Sequence, residues 1–165
     1  MLTFVKGKDI ALSSADAIVN AANGIGHMGG KSGVFTRGHG VAESIHFISQ
    51  GSVEKLAKTE CRKQGILGYA PGEVFITSAP NLNCKYVIHA VTMRFPGSKS
   101  RIKTIKRLLP KIIMLAEQND IKSVAIPLLG TGTGGLSMSE VLHIYKEILP
   151  KSKIHFMAYL PQNNF

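Results

Sequence analysis

The chain has 165 residues, enough for one compact domain over 1–165 and too few for two ordinary ones. Its 44% apolar and 18% charged residues exclude a disordered chain, and no apolar run nears the ~20 residues that a bilayer crossing needs. Lys and Arg number 20 against 10 Asp and Glu, and the formal charge of +10 points to anionic partners: a nucleic acid, a nucleotide or another phosphate-rich ligand. Residues 1–7 carry no apolar signal core and no small-residue cleavage site, so a cytoplasmic location is expected and no membrane partner. Cys61 and Cys84 make neither a disulfide framework nor a close-spaced metal motif, and both read as reduced, buried thiols.

In chain order, residues 2–5 read as a first strand and residues 16–20 as a buried one, too short between polar flanks for a helix. Residues 23–40 are a glycine-rich loop opened by Asn23-Gly24. Val41, Ala42, Ile45 and Ile48 follow helical spacing, and Ser52 reads as the N-cap of a second helix that Gly65 stops. Strands are expected over 73–78 and 86–91, after a turn at Pro71-Gly72. Ile102, Ile105, Leu108, Leu109, Ile112, Ile113 and Ala116 lie on one helical stripe, which Pro110 should bend or break. A buried strand over 123–128, a glycine loop, a helix through Val141, Leu142, Tyr145 and Ile148, and a last strand over 154–159 complete the chain. Strands alternating with helices predict an α/β chain, a three-layer α/β/α sandwich around a central mixed, largely parallel sheet. Such sheets bind ligands at the carboxyl ends of their strands, and both glycine-rich loops follow strands there.

The second loop, Gly130-Thr131-Gly132-Thr133-Gly134-Gly135, can turn backbone N–H groups toward an anion, and Ser137-Met-Ser-Glu140 fits a capping box that begins the next helix. Strand, glycine loop and helix N-terminus together make an anion cradle. No Gly-Lys-Ser/Thr closes a P-loop, and no acidic residue follows a second strand to hold a dinucleotide ribose. In the first loop, the Asn23 amide can hold a sugar diol or cap its own turn. His27 is a ligand, a base or a solvated loop residue, and Lys31 a phosphate contact or a surface charge.

Gly7-Lys-Asp9-Ile10, the run Asp16-Ala-Ile-Val-Asn-Ala-Ala-Asn23, the segments 72–77 and 86–91, and 123–127 with the loop behind them resemble the macro domain family, which binds ADP-ribose. The resemblance covers nearly the whole chain. It implies that Asp9 accepts from the adenine amine and that the Ile10 N–H meets a ring nitrogen. It places Gly29, Gly30, Gly33, Val34, Gly130, Thr131, Gly132, Thr133, Gly134 and Gly135 along the ligand, around its pyrophosphate, and gives Asn23 the distal ribose. No cofactor is implied beyond ADP-ribose as ligand, and no metal. The implied partners are ADP-ribose and ADP-ribosylated protein or nucleic acid.

The loops are most similar to the branch of terminal-ADP-ribose hydrolases and antitoxins that clear ADP-ribose from DNA. Neither catalytic set of the family is complete. Where mono-ADP-ribosyl hydrolases carry an aspartate stands Ala42, with Glu43 turned ~100° away on a helix. Met93 stands where a lysine nucleophile is used, and Gly134 where an aspartate or a ribose-packing aromatic is found. Of the acidic residues, Asp9, Glu43 and Glu140 are expected near the ligand loops. Asn23 is the leading catalytic candidate, with Glu43 and Lys31 behind it. A substrate phosphate held by glycine N–H groups would activate water while Asn23 orients it.

No acidic residue lies between Glu73 and Glu117, a stretch holding Arg94, Lys99, Lys103, Lys106 and Lys111. Lys99, Lys103, Lys106, Arg107 and Lys111 recur at three- and four-residue steps and are expected to form a one-signed ridge on one helix, which fits nucleic-acid contact or a solvated face, while Arg94 to Lys99, just after a strand, is expected to border the pocket. Three functions are therefore expected to compete: a hydrolase removing ADP-ribose or the acyl group of acyl-ADP-ribose, a non-catalytic ADP-ribose reader, and a basic nucleic-acid-binding module on the same scaffold.

Overall fold

The structure is a computed structural model that describes residues 1–29 and 40–161. Gly30, Lys31, Gly33 and Val34 lie outside the described residues. Six strands form one sheet: β1 (Leu2–Val5), β2 (Ala17–Asn23), β3 (Val74–Ser78), β4 (Tyr86–Met93), β5 (Ser123–Pro127) and β6 (His155–Tyr159), in the order β1-β6-β5-β2-β4-β3. Neighbours run parallel except β3, which is antiparallel to β4. Four helices, α1 (Val41–Ile48), α2 (Ser52–Lys63), α3 (Ile102–Gln118) and α4 (Met138–Ile148), complete the described elements, with single 3-10 turns at Ile10–Leu12 and Leu149–Lys151. This is the expected α/β/α sandwich with a mixed, largely parallel sheet.

The central strands are apolar on both faces because helices cover both. Val19, Ile88, Val124, Ile126 and Phe156 pack against α3 and α4 in one core. Their strand neighbours Ile18, Val87, Val91 and Ala125 pack against α1, α2 and the first 3-10 turn in the other. The pairing of β2 with its two neighbours is unequal. Against β4 it runs from Ala17–Tyr86 to Asn23–Met93, with an irregularity between Ala22 and Asn23. Against β5 it holds only Ala17–Val124 and Ile18–Ala125, so the carboxyl halves of β2 and β5 are not zipped together.

Three local expectations are corrected. Pro110 does not break α3, which runs unbroken from Ile102 to Gln118. Pro110 lies exposed on its solvent face while Ile105, Leu108, Leu109, Ile112 and Ala116 hold the buried stripe, so the carbonyl that loses its partner faces water. The N-cap of α2 is Gly51, in the left-handed region at φ 79°, and Ser52 is the first helical residue. Ser137 does begin α4, but its hydroxyl pairs with Ser139 Oγ at 2.8 Å and the capping box stays open.

Candidate functional site

Strands β2 and β5 deliver the two glycine-rich turns to the same sheet edge. The first turn starts at Gly24, whose N–H points at the Met93 and Arg94 carbonyls (3.0 and 2.8 Å) and whose carbonyl accepts from Tyr69 N–H (2.9 Å). A Cβ there would stand 2.1 Å from the Tyr69 carbonyl oxygen, so only glycine passes. Asn23 is 8% exposed and closes the turn beyond. Its Oδ1 accepts from Ile25 N–H (3.3 Å) and His27 N–H (3.0 Å), and its Nδ2 donates to the His27 carbonyl (2.7 Å). Of the two roles open to Asn23, capping its own turn is the one its contacts describe.

Glu54, on α2, anchors the next part of this turn. Its Oε2 accepts from Met28 N–H (2.7 Å) and Gly29 N–H (2.9 Å), and its Oε1 accepts from Lys58 Nζ (2.7 Å). The ring nitrogens Nδ1 of His27 and His46 each lie 3.8 Å from Oε2. Burial alone would raise the Glu54 pKa, but Lys58 and the two amides outweigh it and hold the carboxyl at about 2. The expectation that only Asp9, Glu43 and Glu140 lie near the loops is thus corrected. Glu54 binds the first loop directly, through main-chain donors that leave no mark in the sequence. The Gly29 amide assigned to a diphosphate donates to Glu54.

The second turn is held from below, and its outer residues Gly132, Thr133 and Gly135 are exposed. Buried Tyr145, on α4, accepts from Leu129 N–H (3.1 Å) and donates to the Pro127 carbonyl (2.5 Å), and burial raises its pKa. Within the turn, Thr131 N–H (3.3 Å) and Oγ1 (2.8 Å) both reach the Leu128 carbonyl, Leu136 N–H the Gly130 carbonyl (2.9 Å) and Gly135 N–H the Gly132 carbonyl (3.0 Å). The N–H groups of Gly130, Gly132, Thr133 and Gly134 donate to no group among the described residues. The donors of residues 24–29 described above are spent internally, whereas the second turn keeps donors available for an anion.

Gly134 is sterically required. A Cβ there would meet Gly130 O at 2.5 Å and Ser100 Oγ at 2.5 Å. The position where the sequence resemblance implies an aspartate or an aromatic is closed by Ser100, whose N–H donates to the Gly134 carbonyl (3.0 Å) and whose hydroxyl donates to the Thr92 carbonyl (3.1 Å). Lys99 Nζ reaches the Thr133 carbonyl at 3.3 Å.

Asp9 caps the first 3-10 turn. Its Oδ1 accepts from Ala11 N–H (2.9 Å) and its Oδ2 from Ser44 Oγ (2.6 Å) on α1. The Ile10 N–H donates to no described residue. Asp9 borders a depression of about 430 Å³ together with Lys8, Ser13, Ser14, Met157 and Tyr159. Tyr159 and Met157 were missed in the sequence. Parallel pairing of Val5 with Tyr159 carries the end of β6 beside the chain leaving β1 for Asp9, a neighbourhood that only the strand order reveals. Glu43 is half-buried in the first turn of α1 and Glu140 exposed in the first turn of α4. Lys103 and Lys106 are exposed on α3 and Lys111 is half-buried there, but Lys99 precedes the helix and leaves the expected ridge for the second turn, and Arg94 Nη1 donates to the Leu67 carbonyl (3.0 Å). No helix among the described residues is long and apolar enough to cross a membrane.

Comparison with known proteins agrees with this fold. The family model described as "Macro domain" matches residues 19–145. An uncharacterized protein of Aeropyrum pernix is 34% identical over 81% of this chain, which spans 62% of that relative's length. A macro domain-containing protein of Caldanaerobacter subterraneus is 31% identical over 87% of this chain and 75% of its own. Among solved structures, the macrodomain of Mycobacterium tuberculosis DarG superposes with a TM-score of 0.81 at 22% identity, covering 98% of this chain and 99% of that one. Thermosipho africanus DarTG in complex with ADP-ribose gives 0.78 at 23% identity, covering 99% of this chain and 43% of that one. At these identities the structural matches speak for the fold, and the sequence matches for the family: the chain belongs to the macro domain family.

Proposed function

We propose that residues 1–165 form one ADP-ribose-binding domain that works as a hydrolase, removing ADP-ribose, or the acyl group of acyl-ADP-ribose, from a modified substrate. The observation that carries the binding reading is the second turn, whose uncommitted amides lie on the same sheet edge as Asn23. The similar fold of a protein solved in complex with ADP-ribose supports it. In this reading Asp9 accepts from the adenine amine, the Ile10 N–H meets a ring nitrogen, and the uncommitted amides within residues 130–135, those of Gly130, Gly132, Thr133 and Gly134, receive the diphosphate while Thr131 and Gly135 shape the turn. Gly29 contributes by loop shape, since its N–H serves Glu54. Gly30, Gly33 and Val34 would complete the ligand contacts.

To release ADP-ribose, water adds to the anomeric carbon as its bond to the substrate breaks; to release an acyl group, water adds to the acyl carbonyl and the ester C–O bond breaks; in both, a proton of the water passes to the leaving group. Asn23 positions the turn that faces the distal ribose, and the ligand's own phosphate activates water, with Glu43 and Lys31 as secondary candidates. The contribution is orientation in place of a carboxylate pair. A non-catalytic reader has the same pocket without turnover.

A nucleic-acid-linked substrate is favoured by a separate observation. None of Arg94, Lys99, Lys103, Lys106 and Lys111 pairs with a carboxylate among the described residues, and Phe95 is 48% exposed beside Arg94. Cations without carboxylate partners, together with an exposed ring beside one of them, suit a strand of phosphates and bases.

Calorimetry with ADP-ribose, followed by release assays on ADP-ribosylated protein and ADP-ribosylated DNA, tests these readings. Tight binding that Asp9→Ala weakens, with release that Asn23→Asp slows, is the expected result. Binding without release from either substrate leaves the reader, and no binding overturns both. A flat salt dependence of oligonucleotide binding counts against the ridge.

A further inference from the structure

We propose that Lys99 is a phosphate-binding residue of the second turn, supplying the positive charge that the turn itself lacks. The inference rests on the ADP-ribose reading and adds to it a residue that neither the sequence resemblance nor the family match places in the pocket.

The turn over 130–135 consists of glycine and threonine, so it offers amide dipoles and hydroxyls but no formal charge. A diphosphate carries two negative charges at neutral pH, and dipoles alone stabilise them less than dipoles plus an ammonium group. Lys99 is the cation built onto this turn. Its Nζ donates to the Thr133 carbonyl at 3.3 Å. The side chain lies across Gly135, where an added Cβ would stand 3.4 Å from Nζ and 3.6 Å from Cδ. Its placement is fixed one residue later. Ser100 donates from its backbone to the Gly134 carbonyl and from its hydroxyl to the Thr92 carbonyl, and Gly134 leaves no room for either contact to shift. The root of the Lys99 side chain is therefore pinned between the exit of β4 and the turn.

Its charge is also unspent. Lys58, Lys63 and Lys122 each lie within 4.0 Å of a carboxylate, whereas Lys99 holds only a neutral carbonyl. A carbonyl is a weaker partner for an ammonium than a phosphate oxygen, so a diphosphate arriving at the free amides of Gly132 and Thr133 takes the ammonium over. The free protein thus keeps the lysine parked beside the donors it will work with.

The test compares wild type, Lys99→Ala and Lys99→Arg by calorimetry with ADP-ribose and with adenosine, at low and high salt, alongside thermal melting. Lys99→Ala should bind ADP-ribose about tenfold more weakly, with a shallower salt dependence, while adenosine binding and the melting temperature stay put. Lys99→Arg should recover most of the affinity. Lys99→Ala binding ADP-ribose as tightly as a competent wild type overturns the assignment and leaves the ADP-ribose reading intact. An affinity loss that falls equally on adenosine, or that comes with a lower melting temperature and no rescue by arginine, overturns it too, because the lysine would then merely brace Thr133. A wild type that does not bind ADP-ribose at all removes both readings together.

Discussion

The hydroxyl oxygen of Ser100 lies 2.5 Å from where a Cβ on Gly134 would stand, and the same serine's backbone N–H donates to the Gly134 carbonyl. The two residues come from different connections, one after β4 and one after β5, and each excludes change in the other. Gly134→Ala should therefore cost about 1–3 kcal/mol of stability, as overpacking does, and weaken ADP-ribose binding by distorting the turn. Ser100→Gly in the same chain should restore part of the loss and no more, because the Gly130 carbonyl also lies 2.5 Å from the added carbon. Urea unfolding of the single and double variants measures this, and full additivity would refute the coupling.

Glu54 gives a pH signature. Its carboxyl is held at about 2 in the folded chain against an ordinary 4.5. A lowered carboxylate pKa contributes stability above the unfolded value and loses it as pH falls toward the folded one. The stability gap between wild type and Glu54→Gln should reach about 3 kcal/mol at pH 7 and close progressively from pH 4.5 down to pH 2. Unfolding midpoints at pH 7, 4 and 3 follow it, and a gap independent of pH would show that charge is not what holds the first loop.

Tyr145 joins the exit of β5 to α4 by one hydroxyl. Tyr145→Phe leaves the Leu129 N–H and the Pro127 carbonyl without this partner in a buried place, at a cost of about 1–3 kcal/mol. Amide exchange at Leu129 should quicken in the variant more than exchange in β4. Equal protection at Leu129 in both proteins would dismiss the clamp.

At the other end of the site, Ser44 aims Asp9 by donating to its Oδ2. An ADP-ribose analogue with hypoxanthine in place of adenine lacks the exocyclic amine. Wild type should prefer ADP-ribose over it by about tenfold, Asp9→Ala should show no preference, and Ser44→Ala should fall between. Undiminished selectivity in Asp9→Ala would move base recognition elsewhere.

The strands were legible because their apolar runs are continuous, and continuity follows from burial on both faces, as for Ile18 and Val19 in β2. The two turns were legible because Gly24 and Gly134 tolerate no side chain, and such positions leave glycine in the sequence. What could not be read is what main-chain groups bind. Glu54 looks like any acidic residue in the first turn of a helix, and its partners are the N–H groups of Met28 and Gly29, which every residue but proline possesses. Tyr159 was invisible for a different reason: its place beside Asp9 depends on β6 lying next to β1, a pairing across almost the whole chain. Pro110 misled because local propensity lost to five buried contacts on the opposite face of α3.

The brief ladder between β2 and β5 makes the sheet a book with a short spine. The leaf β1-β6-β5 and the leaf β2-β4-β3 share main-chain bonds only near Ala17 and Ile18, at the end remote from the two turns. Beyond Ile18 the leaves are joined through their side chains instead: Val19 and Ile88 of one leaf share a buried core with Ile126 of the other. Side-chain packing, and not a main-chain ladder, therefore sets how far apart the pages stand at the end where both turns emerge.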